Sequence, residues 1–223
     1  MRAWAALLGR ELRLAWRSGS AIGTVLGFYA IAVAMMPVAI GPDLNLLARI
    51  APGVLWISMM LAALLSLGRL FERDHENGTL DLWQMGVMPL ELVVTAKALA
   101  HWMTTCLPLV VITPVLGLFL NIEAGAVPMV VVTMLIGTVA ISFLGAIAAA
   151  LTLRSRRGGV LIALLVLPIY VPTLIYGIAA TVASTTALGE AAISSLAMLG
   201  AISLIATIVG PVAAAAALRV QTG

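Results

Sequence analysis

Charge is scarce in this sequence. Of its 223 residues, 9% are Asp, Glu, Lys or Arg and 63% are hydrophobic; the mean hydropathy is +1.17. A soluble domain needs a polar covering, so that class is excluded. The scarcity is also local. Ser18–Pro42, Ile50–Gly68, Ala98–Ile122, Ala124–Leu153, Gly158–Gly189 and Ala191–Leu218 contain no Asp, Glu, Lys or Arg. A helix crosses the hydrocarbon core with roughly 20 apolar residues, about 17 at the low end, and all six stretches reach that length. Inside lipid each segment must satisfy its own backbone hydrogen bonds, so helices are expected. The apolar runs are continuous rather than alternating, which argues against a β-barrel. The expectation is an all-α integral membrane protein, residues 1–223 forming a single six-helix domain.

Other scarcities exclude chemistry. The two histidines, His75 and His101, are too few and too separated to suggest a metal cluster. Cys106 is the single cysteine, so no intramolecular disulfide forms, and no CxxCH is present for covalent haem attachment. Cys106 reads as a small core residue of the third span. The only lysine, Lys97, stands between Ala96 and Ala98. A P-loop needs Gly-Lys-Ser/Thr so that its Lys reaches the phosphates, and that ending is missing. The chain is thus not expected to be an enzyme, and any nucleotide must be hydrolysed by a partner. Charge-free spans also weaken an ion-coupled transporter, which keeps ionisable groups within the membrane. His101 lies near the end of span three. It could be an axial ligand for haem, or its ring could bond across helices or to a headgroup.

The charges that are present are sorted by side. Arg2, Arg10, Arg13 and Arg17 precede span one; Arg69, Arg73 and Lys97 lie between spans two and three; Arg154, Arg156 and Arg157 lie between four and five; Arg219 follows six. The other side has Arg49 alone. The positive-inside rule then puts both termini in the cytoplasm, and it accounts for the net charge of +3 without nucleic acid. The external loops, near Asp43, Asn121–Val127 and Thr181–Ala191, are short. Arginines run on to Arg17 without a small-residue cleavage site, which is unlike a cleavable signal. In residues 1–17 the four arginines share one arc of a helical wheel, with Trp4, Leu8, Leu12 and Ala15 broadly opposite. The expectation is an amphipathic helix lying on the inner leaflet. Pro108, Pro114, Pro168, Pro172 and Pro211 fall inside spans, where each removes a hydrogen bond and tends to kink the helix. Small residues in Gly145–Ala150 and Ala213–Ala217 permit close helix packing.

One polar patch stands apart. Phe71–Lys97 reads FERDHENGTLDLWQMGVMPLELVVTAK. Charges crowd Glu72–Glu76, the turn signal Asn77-Gly78 follows, and a short apolar helix over Thr79–Met88 is expected to stop at Pro89. Thr79 suits the N-cap, and Asp81 would sit in the first turn, where the dipole favours an anion. Leu80, Trp83 and Val87 share a face, while Leu82, Met85 and Met88 add apolar surface. So apolar a helix outside the membrane needs a partner groove or the headgroup zone, and the acids Glu72, Asp74 and Glu76 argue against an anionic leaflet.

These features resemble the permease subunits of type 2 ABC exporters. The pattern F-E-x-D-x-x-x-G-T-L-D is Phe71, Glu72, Asp74, Gly78, Thr79, Leu80 and Asp81. Leu44–Ile57, Ala96–Val110 and Arg156–Gly177 are similar to the haem exporter protein B family, the permease of cytochrome c maturation. That similarity runs from the N-terminal helix to Ala214–Arg219. Where the family has Asp-Gly-Ser or Asp-Gly-Thr, this chain has Asn77-Gly78-Thr79. The resemblance implies a bacterial inner-membrane subunit that handles haem as cargo and holds no covalent cofactor, with ATP on a separate ABC ATPase subunit. It implies as partners a haem-handling membrane protein, a small membrane subunit and a periplasmic haem chaperone. Residues 71–96 would be the cytoplasmic coupling segment, through Glu72, Asp74, Gly78, Thr79, Leu80, Asp81, Leu82, Trp83 and Pro89. Two other classes stay open: a type 2 ABC permease for a lipid-linked sugar or a drug, and a non-transporting membrane scaffold.

Overall fold

The structure, a computed structural model, describes residues 2–17, 19–86, 88–155, 158–185 and 189–222. Val87, Arg156, Arg157 and part of the Thr181–Ala191 loop, all used above, lie outside the described residues. Among those described, every regular element is helical. The α-helices are α1 (Arg2–Arg17), α2 (Gly19–Ile40), α3 (Leu44–Leu67), α4 (Arg69–Glu76), α5 (Thr79–Met85), α6 (Leu90–His101), α7 (Leu107–Phe119), α8 (Val127–Leu151), α9 (Gly158–Thr185) and α10 (Gly189–Thr222). Six helical spans are long and apolar enough to cross a membrane, as the charge-free stretches anticipate.

The second, third and sixth spans extend beyond their charge-free stretches, because a helix does not end where its charges begin. The second starts at Leu44, where the carboxylate of Asp43 accepts the Leu46 N–H at 2.9 Å as a side-chain cap. It runs on with little interruption to Glu76, since Gly68 keeps right-handed helical angles of φ −56° and ψ −32°. The third starts at Leu90 and passes through a π-helical turn, Trp102–Cys106, into α7. There the Leu107 N–H bonds the carbonyl of Trp102, five residues back. The cause lies in the sequence. Pro108 lacks an N–H and its ring clashes with the carbonyl four residues earlier, at Thr104, so the turn widens.

Helix α8 is the centre of the packing and touches α3, α6, α7, α9 and α10. Small residues make this possible. A Cβ on Gly210 of α10 would lie 2.6 Å from the backbone oxygen of Phe143 on α8. Trp56 of α3, fully buried, occupies space that side chains on Gly137 of α8 and Gly177 of α9 would claim, at 2.5 and 2.4 Å. Lipid tails are as apolar as the side chains, so close packing and interhelical hydrogen bonds hold the bundle. Tyr29 and Thr113 pair at 2.9 Å, Trp56 donates to Thr181 at 3.3 Å, and Trp102 donates to Thr138 at 3.1 Å.

The loops and helix ends reproduce the charge sorting. Arg219 meets Glu91 at 2.6 Å, Arg154 donates to the carbonyl of Gln221 at 2.6 Å, and Trp4 donates to that of Leu92 at 3.0 Å. These contacts gather α1, α6, the end of α8 and the end of α10 at one pole, together with α4 and α5. Arg49 lies on α3 toward the other pole, near Asp43.

Candidate functional site

The polar patch folds as helix, turn, helix. Its acids do not sit in a loop: Glu72, Asp74 and Glu76 belong to α4, the extension of span two. The Asn77 N–H closes onto Arg73 at 3.2 Å and the Gly78 N–H onto His75 at 3.2 Å. Gly78 then turns left-handed, with φ +67°, a region that costs a side chain of L chirality about 1 kcal/mol or more. This reversal lays α5 back under the bundle. Gly78, not Thr79, occupies the N-cap position, and it offers no side-chain bond; Thr79 is the first helical residue. Helix α5 also ends earlier than Met88. It stops at Met85, where the Gly86 N–H bonds Trp83, and Pro89 leads into α6 instead of ending α5. A proline suits that N-cap place, since a residue capping a helix start has no intrahelical acceptor for an N–H.

One face of α5 is anchored. Leu80 is fully buried in a cluster with Leu7, Phe71, Leu90, Val93 and Val94, and half-buried Trp83 packs at its edge. The opposite face is bare: Leu82 is 64% exposed and Met85 78%. Asp81 is exposed in the first turn and complements the dipole. Thr79 is half-buried, and Glu72 and Pro89 are exposed.

Asp74 departs from this group. It is 4% exposed and faces inward onto Lys97, which is 3% exposed. Lys97, placed by its sequence between two spans, is inside α6 and continuous with the third. Its ammonium bonds Asp74, the Glu11 carboxylate at 3.0 Å and the Leu70 carbonyl at 3.1 Å. Arg10 completes the set, at 3.1 Å from Glu11 and 3.5 Å from Asp74. Two cations and two anions thus cancel in a site walled by α1, α4 and α6. Trp83 roofs it, its ring centroid 5.4 Å from the Lys97 ammonium and 5.8 Å from the Arg10 guanidinium, both cation–π distances. The tetrad therefore ties α5 to α4, α6 and α1. It also revises the N-terminal helix: Leu7 and Arg10 turn toward protein, while Arg2, Arg13, Arg17 and Trp16 stay exposed. Sequence reasoning missed Glu11 altogether. The available signals were a lone lysine near a span and a lone acid in an arginine-rich helix.

One turn beyond Lys97, His101 is buried between Ser66 of α3, 2.7 Å from its Nε2, and Ser142 of α8, 2.9 Å from its Nδ1. Cys106 also reaches Ser142, at 3.3 Å. Of the two readings of His101, this is the bond across helices. Both ring nitrogens are engaged in it, one to α3 and one to α8. Haemin titrated into the purified chain is expected to give the same Soret absorption for His101→Gln as for the wild type. A lost or shifted band in the variant would restore the axial-ligand reading.

Comparison with known proteins matches this sequence to one family. The chain fits the CcmB protein family over residues 2–221. It is 49% identical to Heme exporter protein B of Paracoccus denitrificans, covering 97% of this chain and 98% of that one. It is 48% identical to the protein of the same name in Bradyrhizobium diazoefficiens, covering 98% of each. With Heme exporter protein B of Escherichia coli K12 it shares 41% identity over 95% of both. Agreement of this extent, through every span and the polar patch between the second and third, shows that the chain belongs to the CcmB family.

Proposed function

We propose that this chain is the membrane permease subunit of a haem-export ABC transporter serving c-type cytochrome biogenesis, and that α5 receives the movement of a separate ATPase subunit. The observation that carries the coupling is the division of α5. Leu80 is buried, whereas Leu82 and Met85, on a helix outside the charge-free spans, point away from the bundle. Burying each would contribute about 1.5–3 kcal/mol to a partner complex. The missing P-loop requires such a partner if ATP drives the protein. Haem as cargo comes from the relatives named Heme exporter protein B. The cytochrome context, the haem-handling membrane protein, the small membrane subunit and the periplasmic haem chaperone come from the family resemblance. The gathering of the arginines at one pole supports cytoplasmic termini in a bacterial inner membrane, with Trp16 and the outer arginines of α1 at the leaflet surface.

The mechanism is mechanical. A push on α5 passes through Leu80 and Trp83 to the ionic tetrad. From there it divides, along α4 into span two and along α6 into span three. The π-helical turn before Pro108 lies on the second route and gives it a place to bend. Such a movement needs two states that differ in contact with the nucleotide-bound partner.

Leu82→Asp/Met85→Asp alters the outward face without touching Leu80. It is expected to leave the chain folded in the membrane and to abolish recovery of the ATPase subunit with it, along with cytochrome c assembly. Gly78→Val, which opposes the left-handed turn, should weaken recovery in the same assay. Normal recovery and normal cytochrome c in the double variant would refute the docking role. Haem absorption of the purified complex with and without ATP tests the cargo separately.

A further inference from the structure

The tetrad leaves four charges of α4 unaccounted for. Arg69, Glu72, Arg73 and Glu76 follow at i, i+3, i+4 and i+7, so they share one helix face. That face lines a cavity of about 330 Å³, within the range of small-ligand sites, about 300–1,000 Å³. Leu14 and Ile22 line it from the junction of α1 and α2. Lys97, Asp74 and Glu11 also border it, but they neutralise one another with Arg10.

The remaining charged lining is two guanidiniums and two carboxylates, while Ser66, His101, Thr104 and Thr105 add neutral polar groups. Opposite charges three residues apart ordinarily meet on a helix surface, and like charges four apart repel. Yet among the described residues no salt bridge engages Arg69, Arg73, Glu72 or Glu76. The cations are held beside the anions without closing onto them. A ligand carrying both signs a few atoms apart would relieve both like-charge pairs at once. The cavity also spans a boundary, bordered by charge-free span residues such as Ile22 and by the charged extension of span two. This is the level of lipid headgroups.

We propose that this cavity holds the headgroup of an aminophospholipid from the adjacent leaflet. Its phosphate lies on Arg69 and Arg73, its primary ammonium lies on Glu72 and Glu76, and its glycerol end passes between Leu14 and Ile22. Arginine forks match phosphate oxygens, and an ammonium gives the carboxylates charge-assisted hydrogen bonds. A choline headgroup has no N–H to donate, so the site discriminates against it. The lipid braces the junction of α3 and α4 behind the tetrad. On this reading Glu72 answers to lipid, not to a protein partner.

The test is lipid retention by the full chain. Purified protein is exchanged into micelles doped with equal phosphatidylethanolamine, phosphatidylcholine and phosphatidylglycerol, and bound lipid is read by native mass spectrometry. The wild type should retain phosphatidylethanolamine preferentially. Arg69→Gln/Arg73→Gln should lower its retention about tenfold, the scale of a lost charge-assisted hydrogen bond. Glu72→Gln/Glu76→Gln should erase the preference for ethanolamine over choline while keeping both lipids. All four side chains are exposed, so the variants should elute as the wild type on gel filtration. Soluble phosphoethanolamine at the same concentration should not compete. Equal retention of the three lipids by the wild type, unchanged retention in the arginine variant, or full competition by phosphoethanolamine would each overturn the proposal. Recovery of the ATPase subunit is scored in parallel on the Leu82→Asp/Met85→Asp chain, so failure here is separable from failure of the coupling reading.

Discussion

Lys97→Met is expected to be among the most damaging single substitutions in this chain. Methionine nearly matches the volume of the lysine stem, so packing changes little. What changes is charge: the buried Asp74 carboxylate and the partly buried Glu11 carboxylate are left with only Arg10 to answer them. Breaking a buried pair by removing one partner costs about 3–5 kcal/mol, because the remaining charge is desolvated and unpaired. The Lys97→Met/Asp74→Asn variant restores neutrality, with Arg10 and Glu11 still paired, and should recover much of the loss. Thermal unfolding in detergent, arranged as a double-mutant cycle, measures this. Additive losses, or a single variant as stable as the wild type, would show that the tetrad does not act as a unit. By contrast, Arg219→Ala removes a largely exposed ion pair with Glu91 and should change stability by under about 1 kcal/mol.

Gly210→Ala should be comparably informative, since one methyl group decides it. The new Cβ would stand 2.6 Å from the carbonyl oxygen of Phe143, a backbone atom held in α8 that no rotamer change can move. Separating α8 from α10 is the remaining adjustment, and overpacking of this kind costs about 1–3 kcal/mol. Gly200 supplies the control on the same helix. A Cβ there meets nothing within 4 Å, so Gly200→Ala should be neutral or stabilising, by up to about 1 kcal/mol of helix propensity. Unfolding temperatures that fall for Gly210→Ala and hold or rise for Gly200→Ala are the expected result. Equal effects would mean that helix propensity, not contact, governs both sites.

The spans were legible because lipid leaves a chain few options. Length and absence of charge identified them, and the same rule missed where the second, third and sixth begin or end, since those helices continue into charged sequence for as long as caps and neighbours allow. That is why Lys97 read as a loop residue and lies in a helix. The turn at Asn77-Gly78 was legible from local chemistry, while the cap assignment to Thr79 failed by one residue. The left-handed glycine takes the cap position itself.

The tetrad was not legible. Arg10 and Glu11, Asp74 and Lys97 come from three separated segments, and no periodicity links them. Grouping Asp74 with Glu72 and Glu76 followed from adjacency alone. On a helix, residues two apart point about 200° away from each other, so neighbours in sequence part company in space.

From composition and order alone follow the membrane class, the number of spans, the sorting of arginines and the absence of a nucleotide loop, because each depends on local transfer free energy or a contiguous motif. Which charges are spent inside the bundle, and which apolar residues of α5 are left outside it, depends on how α1, α4 and α6 meet. That is decided by the burial of Leu7, Phe71, Leu80 and Leu90 in one cluster and by the cancellation of charge around Lys97, which no single segment contains.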